Sequence, residues 1–310
     1  MSDVLRVVEP GLLTTIQDLG RPHAMGSGVS AGGAMDHFAY RAANLLVGNP
    51  PGAATLECTL KGPRLSAEAD CVVAVAGADL DPRVNGEPVE TWTSFLLRTG
   101  DELSLGVRRS GARAYVAVAG GIVADRWLGS MSTNLLAGRG GMHGRRLEAG
   151  DAISAEVASF ATAGRSLELR IRPDYTKHEL LAIPGPHFAR LGAEGRAGLF
   201  EMTFTVSHRS DRMGYRLDGP RLDSDGEEVL SFGLVPGALQ LPPGGRPILL
   251  MADHQTAGGY PVVVTVASAS VPIAAQLAPG DELRFSNATV AEACFERARL
   301  NEVLASLAAP

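Results

Sequence analysis

The sequence predicts a mainly β protein with a few helices, organised as two β domains. Three observations predict it. Short runs rich in β-branched and aromatic residues recur along the 310 residues, broken by Gly, Pro, Asn and Asp clusters. That is the pattern of barrels or sandwiches rather than βαβ units. A hydrophobic content of 45% supplies real cores, and the length fits two domains of roughly 150 residues each.

The strand-like runs fall at 4–8, 71–76, 93–98, 113–119, 167–172, 202–206, 247–251 and 261–266. Asn85-Gly86 reads as a tight hairpin turn. The segment from Asp36 to Val47 places Phe38, Ala42, Leu45 and Leu46 on one helical face, with Gly48 as its C-terminal cap. Thr289 and Glu292 form a capping box for a last helix through about Ser306. Shorter helices are expected near 187–194 and 271–277. A weak repeat links the two halves: Thr99-Gly-Asp-Glu-Leu-Ser-Leu resembles Pro279-Gly-Asp-Glu-Leu-Arg-Phe, and Ala149-Gly-Asp-Ala-Ile echoes both. Each is a Gly-Asp turn feeding a strand. The small, polar stretch 158–166 reads as a linker, giving domains at 1–160 and 167–310.

Composition excludes several functions. A net charge of −6 argues against nucleic acid as a partner. No signal-like leader opens the chain and no run of 18 apolar residues occurs, so a cytoplasmic location away from membranes is expected. Three cysteines without paired spacing, Cys58, Cys71 and Cys294, make neither a disulfide framework nor a zinc site. Cys58 and Cys71 sit in apolar runs and read as small buried hydrophobes. Lys61 and Lys177 are the only lysines. No Gly-x-x-x-x-Gly-Lys-Ser/Thr phosphate loop is present, and neither lysine has the flanking methionines of a biotin acceptor.

Four segments carry groups capable of chemistry. QDLGRPHAMGSGVSAGGAMD (17–36) offers Arg21, whose planar fork suits carboxylates and phosphates. It also offers Met35 and Asp36, the latter either a base or a helix N-cap. LGSMSTNLLAGRGGMHGRRL (128–147) offers hydroxyl and amide donors, but Gly129-Ser130 lacks the nucleophile elbow of serine hydrolases. SHRSDRMGYRLDGP (207–220) offers Asp211, Arg212 and Met213, with an Asp-Arg salt bridge as the bland alternative. MADHQTAGGYP (251–261) follows an apolar strand. Its Asp253, Gln255, Thr256 and Tyr260 suit a small-molecule pocket at the mouth of a barrel. A metal reading is weaker, since His254 has no spaced partner.

Taken in order, TIQDLGR, GGAMD, AANLLVGNPPGAATLECTLKGP, RAYVAVAGG, LGSMSTN, SDRMGYRLDGP and ADHQTAGGYP resemble the biotin-dependent carboxyltransferase-like family. That family includes the C subunit of 5-oxoprolinase, KipA-type proteins, allophanate hydrolase subunit 2 and the carboxyltransferase portion of urea carboxylase. The resemblance spans about residues 4–290. It implies two cyclophilin-like β-barrel domains and a KipI-like partner subunit, often joined by a third subunit. It implies ATP-dependent hydrolysis of a small amide or lactam C–N bond, with this chain inactive alone. ATP would serve the whole complex. Biotin would enter only for a urea- or allophanate-type component, carried on another chain. A KipA-like, non-catalytic regulator is a further alternative.

Such chemistry needs oxyanion donors, for which Arg21, Arg212 and Gln255 are candidates. It also needs a base, for which Asp36, Asp211 and Asp253 are candidates. Under the resemblance, the glycine-dense stretches 17–36 and 251–261 read as walls of one site, finished by another chain. Met131 and Asn134 replace an arginine and an acidic residue that the family usually carries. A lost salt bridge exchanged for neutral packing is the simplest reading of that change.

Overall fold

A computed structural model describes residues 1–156, 158–224 and 229–308. The mainly β architecture with few helices is as expected. The chain forms two compact units. One comprises Met1–Arg21, Gly32–Pro173 and the chain from Glu302; the other comprises Pro22–Ala31 and Asp174–Asn301.

In the first unit, a seven-stranded and a five-stranded sheet share one apolar core. Alternation explains how. On the inner strand Cys71–Asp79, residues Cys71, Val73 and Val75 enter that core. On its neighbour Ser110–Val118, Ala114, Val116 and Val118 do the same. Strand side chains alternate between faces, so Val72, Ala74, Ala76, Tyr115 and Ala117 point to the other side. Helix His37–Leu46 packs against both strands. Both faces are therefore buried, which is why these strands read as continuous apolar runs.

That helix begins as predicted. Oδ1 of Asp36 accepts from the amides of Phe38 (3.0 Å) and Ala39 (2.9 Å), and the residue is fully buried. Asp36→Ala is expected to cost about 2 kcal/mol, the upper end for an N-cap, because no water can replace the lost acceptor. Chemical denaturation checks this; a loss under about 0.5 kcal/mol, the lower end for such caps, would contradict it.

The second unit closes as a seven-stranded barrel. Its order is Glu179–Pro184, Val262–Val266, Ala238–Gln240, Ile248–Leu250, Gly214–Asp218, Thr203–Val206 and Glu282–Asn287. A parallel pairing of the last strand with the first completes the ring. Leu180, Ala182, Phe204, Val206, Tyr215, Leu217, Leu239, Leu249, Leu283 and Phe285 are buried on these strands.

The Asn85-Gly86 hairpin is present, with φ of 52° and 85° at its two central residues, as a type I′ turn requires. The Gly-Asp repeat has a common geometry. Gly100, Gly150 and Gly280 have φ of 91°, 93° and 91°. The following aspartates, Asp101, Asp151 and Asp281, each accept from the amide three residues upstream, at 2.7, 2.8 and 2.8 Å.

The run 167–172 is not a strand. Leu167 is buried and its amide bonds the Trp92 carbonyl at 2.9 Å, but the chain then turns into a short 3-10 helix, Leu169–Ile171. The predicted helix at 187–194 is instead a 3-10 turn, Phe188–Arg190, followed by helix Ala193–Gly198. The helices Val271–Ala275 and Val290–Ala308 lie where expected.

Cys58 and Cys71 are buried and Cys294 is exposed. Burial pushes the Cys71 thiol up to about 11, so it stays protonated. Among the described residues, no helix is long and apolar enough to cross a membrane.

Candidate functional site

Candidates in the first unit are built into its framework. Arg21 is fully buried. Its Nη2 donates to the Ser132 carbonyl, its Nε to the Trp127 carbonyl at 3.3 Å, and its guanidinium lies 4.9 Å from the centre of the Trp127 ring. The expected ligand-binding fork is thus occupied by backbone carbonyls of the 127–132 loop. Met35 is buried too, and its amide donates to Oε2 of Glu57 at 2.8 Å. Asp36, a candidate base, is the buried helix cap.

Sequence reasoning missed the organiser of this region. Asp18 Oδ1 accepts from the Ser130 and Ser132 hydroxyls, both at 2.6 Å, and from the Gly20 amide at 2.7 Å. Its Oδ2 accepts from the Met131 amide at 2.6 Å. The Met131 side chain packs against the core, and Asn134 Oδ1 accepts from the Ala137 amide at 2.9 Å. Met131 therefore serves packing and Asn134 a turn.

The second unit gathers its candidates differently. A cavity of about 240 Å³ is lined by Arg209, Asp211, Met213, Gly214, Arg216, Gln240, Ile248, Leu250, Gln255 and Tyr260. Register explains the grouping. Arg216 stands opposite Ile248, which stands opposite Gln240, while Gly214 stands opposite Leu250. The intervening Tyr215, Leu217, Leu239 and Leu249 point to the opposite face of the strands, while Leu250 on the cavity face joins a second apolar cluster with Leu234, Ala238 and Val262. The cavity therefore lies on the outer face of three barrel strands, not at the barrel mouth. Gln255 and Tyr260, expected at a barrel mouth, line this cavity beside Arg216, Ile248 and Gln240.

Four predicted residues line this cavity: Asp211, Met213, Gln255 and Tyr260. Asp211 Oδ1 accepts from the amides of Met213 (2.8 Å) and Gly214 (3.3 Å), and Oδ2 enters no hydrogen bond among the described residues. Gln240, missed from sequence, is 1% exposed. Its Oε1 accepts from Gln255 Nε2 at 3.0 Å, while its own Nε2 finds no partner among the described residues. A lone Gln inside an apolar strand gave no signal beyond its polarity.

Arg212 pairs not with its neighbour Asp211 but with Asp253, Nε to Oδ2 at 2.8 Å and Nη2 to Oδ1 at 3.3 Å. The ladder between Gly214–Asp218 and Ile248–Leu250 runs on past its ends. The Met251 amide meets the Met213 carbonyl at 3.0 Å, and the Asp253 amide meets the Arg212 carbonyl at 2.8 Å. That extension brings the two charges together. Thr256 lends its carbonyl to the Leu234 amide at 3.0 Å.

His254 is fully buried. Its Nδ1 lies 2.6 Å from the Gln255 carbonyl, which fixes the proton on Nδ1, and Nε2 has no partner among the described residues. Burial holds its pKa below the ordinary imidazole value, outweighing the Gln255 carbonyl and the Asp253 carboxylate, which both raise it. The folded state thus disfavours the proton that the unfolded chain accepts near pH 6.5. The stability this contributes is complete above that pH and is lost as pH falls toward the depressed folded value. Melting curves between about pH 8 and pH 5, spanning that ordinary value, should show a decline that His254→Gln flattens; parallel declines would contradict it.

A larger cavity, about 400 Å³, lies in the first unit between Asp79, Asp81, Pro88, Glu90, Arg109 and Arg172. It contains none of the candidates. Among the described residues, no three His, Cys, Asp or Glu side chains are grouped to hold a metal.

Comparison with known proteins adds the lineage. The family "Carboxyltransferase domain, subdomain A and B" matches residues 27–287. This chain belongs to that family. It is 36% identical over 298 residues to the C subunit of 5-oxoprolinase from Escherichia coli strain K12, covering 95% of this chain and 94% of that protein. A putative urea carboxylase of Emericella nidulans is 33% identical over 97% of this chain, which spans only 25% of it. The structure of Kluyveromyces lactis urea amidolyase superposes with a TM-score of 0.92 at 26% identity. It covers 99% of this chain, which spans only 20% of that protein.

Proposed function

We propose that this chain is the C subunit of a 5-oxoprolinase-type hydrolase that opens an amide or lactam C–N bond, completed by a KipI-like subunit and a third subunit. The observation that carries this reading is the full-length similarity to the 5-oxoprolinase chain, 95% of one against 94% of the other. The barrel-face cavity suits it. At about 240 Å³ it is smaller than the ~300–1,000 Å³ of sites for drug-sized ligands, a size for a small metabolite.

The cavity holds the groups that hydrolysis of a stabilised amide needs. Amide nitrogens of Gln240 and Gln255 are donors for a carbonyl whose oxygen gains charge as water attacks. Of the three candidate bases, Asp211 has a carboxylate oxygen free to orient that water. Asp36 is committed to its helix, and Asp253 to Arg212.

Neither of the two longest helices of this chain offers ATP a free N-terminus. A free helix N-terminus is the usual phosphate cradle where no phosphate loop exists. Here the Asp36 carboxylate closes one long helix, and Thr289 with Glu292 closes the other at 2.7–3.2 Å. This supports placing nucleotide binding on another chain of the complex, with this chain alone expected to be inactive.

The similarity to urea carboxylase supports a second reading, a carboxyltransferase component acting on urea or allophanate with biotin carried on another chain. Co-expression with the KipI-like and third subunits, followed by an assay of ATP-dependent glutamate release from 5-oxoproline, separates the two. Turnover by the three-chain complex, and none by this chain, is expected. A complete complex that is inert toward 5-oxoproline but carboxylates urea would support the second reading. One that holds the KipI-like chain with no turnover of either would support a KipA-like regulator.

A further inference from the structure

The cavity on the outer face of the barrel has two unlike ends. At one, Gln240 is almost wholly buried and spends only its Oε1 on Gln255, leaving Nε2 without an acceptor among the described residues. A buried donor left without an acceptor is destabilising, so the site is organised for a group that supplies one. Gly258 lies against this amide: a Cβ there would fall 3.1 Å from Gln240 Nε2 and 3.6 Å from Gln255 Nε2. A bare backbone therefore leaves room beside the paired amides.

At the other end stand Arg209 and Arg216. Neither forms an ion pair or donates a side-chain hydrogen bond among the described residues. Both also line an adjoining cavity of about 290 Å³ with Arg221, Arg246 and Asp218. That second cavity holds four arginines and one acid, and the acid is taken by Arg246 at 3.2 Å. In a chain of net charge −6, this is a local excess of guanidinium. Across the two cavities four guanidiniums face two carboxylates, Asp218 and Asp211; that net positive wall favours binding of an anion, and guanidinium forks match carboxylate and phosphate oxygens.

The cross-strand register fixes the spacing of the two ends. Arg216, Ile248 and Gln240 occupy one row across three strands. Neighbouring strands lie about 4.8 Å apart, so the two ends are roughly 10 Å apart at the backbone. An arginine and a glutamine reaching inward from those positions would bracket a ligand of one small ring, with Ile248 as the apolar floor.

We propose that Arg209 and Arg216 form an oxyanion-binding wall and Gln240 a carbonyl-binding donor of one bipartite site. The preferred ligand then carries both an amide carbonyl and an oxyanion on a compact frame. This rests on the reading of the cavity as the substrate site, and it sets urea apart from the other substrates that the family resemblance leaves together. Urea has the carbonyl but no oxyanion; allophanate and a lactam carboxylate have both. The oxyanion is either the ligand's own carboxylate or a separate phosphate.

Calorimetric titration of the full chain and of its assembled complex tests this with four probes: 5-oxoproline, 2-pyrrolidinone (the lactam alone), cyclopentanecarboxylate (the anion alone) and inorganic phosphate. The wild type should bind 5-oxoproline roughly tenfold or more tighter than either half-ligand. The double variant Arg209→Gln/Arg216→Gln should weaken 5-oxoproline and cyclopentanecarboxylate about tenfold and leave 2-pyrrolidinone unchanged. Gln240→Leu should weaken 5-oxoproline and 2-pyrrolidinone and spare cyclopentanecarboxylate. Phosphate that competes with 5-oxoproline would place both on the arginine wall. Phosphate that strengthens its binding would assign the wall to phosphate and overturn the carboxylate arm.

Equal losses for all probes, or no binding to chain or complex, would overturn the proposal. The arginines are exposed, so their variant keeps the test alive should Gln240→Leu fail to fold. Turnover judges the functional reading separately: an inert complex with the crossed binding pattern intact would sink the hydrolase and leave the site standing.

Discussion

Asp18→Ala should lower the stability of the first unit by more than about 3 kcal/mol, the largest stability effect expected of any single substitution. The carboxylate receives four hydrogen bonds, from the hydroxyls of Ser130 and Ser132 and the amides of Gly20 and Met131, at 2.6–2.7 Å. It is 8% exposed, and Ser130 and Ser132 are 1% and 0% exposed. Removing the acceptor strands two buried serine hydroxyls and two half-buried amides, each buried donor left unmade costing about 1–3 kcal/mol. Only the two serine hydroxyls can rotate to other acceptors. At roughly 2–4 °C per kcal/mol for a unit of this size, a fall in melting temperature of about 10 °C follows. Asp18→Asn should fall between wild type and alanine, because its amide keeps one acceptor but turns a donor toward others. An alanine variant within about 1 kcal/mol of wild type, the cost of a single such donor, would remove Asp18 from its organising role. Proteolysis should also move into 128–134 in the variant, because that loop is tied to the sheet through this carboxylate.

Much of the architecture was legible because its signals are local. Asp36 followed by apolar residues at helical spacing specified a helix, and the structure returns the cap with the expected donors. Asn85-Gly86 and the three Gly-Asp turns needed only a few consecutive residues each. The failures share a cause. The run LELRIR at 167–172 alternates like a strand, yet after Leu167 docks beside Trp92 the chain turns, leaving Leu169 79% exposed. Alternation states which residues would share a face, not whether a neighbouring strand exists to pair with.

The candidate site shows the same limit at longer range. Asp18 meets its serines 112 and 114 residues away, and no spacing rule reaches that far. Sequence offers Arg21 as a ligand fork because a guanidinium beside glycines suits that role. Burial against the Trp127 and Ser132 carbonyls gives it a structural one. Gln240 was invisible because its meaning lies in the register of three strands, which sets it in a row with Ile248 and Arg216. The polar residues after an apolar strand single out the segment around Asp253, but the partner of that aspartate is fixed by a ladder that sequence does not display.

That partner sets the second large effect. Arg212→Ala should destabilise the barrel by about 3 kcal/mol, the lower end of the ~3–5 kcal/mol for breaking a buried ion pair. The side chains of Arg212 and Asp253 are only 8% and 16% exposed, and removing the cation leaves a carboxylate with little access to water. Asp253→Asn should cost less, since an amide oxygen still accepts from the guanidinium while the charge attraction is lost. The pair Arg212→Met/Asp253→Leu distinguishes a structural pair from a catalytic aspartate. Replacing both charges by apolar groups of similar size is often near neutral, so the double variant should recover most of the stability lost by the alanine variant. If Asp253 only fixes the strand ends, the recovered protein, assembled with its partners, should also recover turnover. If Asp253 is the base, stability returns and turnover does not. A double variant as unstable as Arg212→Ala would show that the charges are held by more than each other. The geometry favours the structural outcome, because both Asp253 oxygens already face Arg212, at 2.8 and 3.3 Å, while the carboxylate that lines the cavity is that of Asp211.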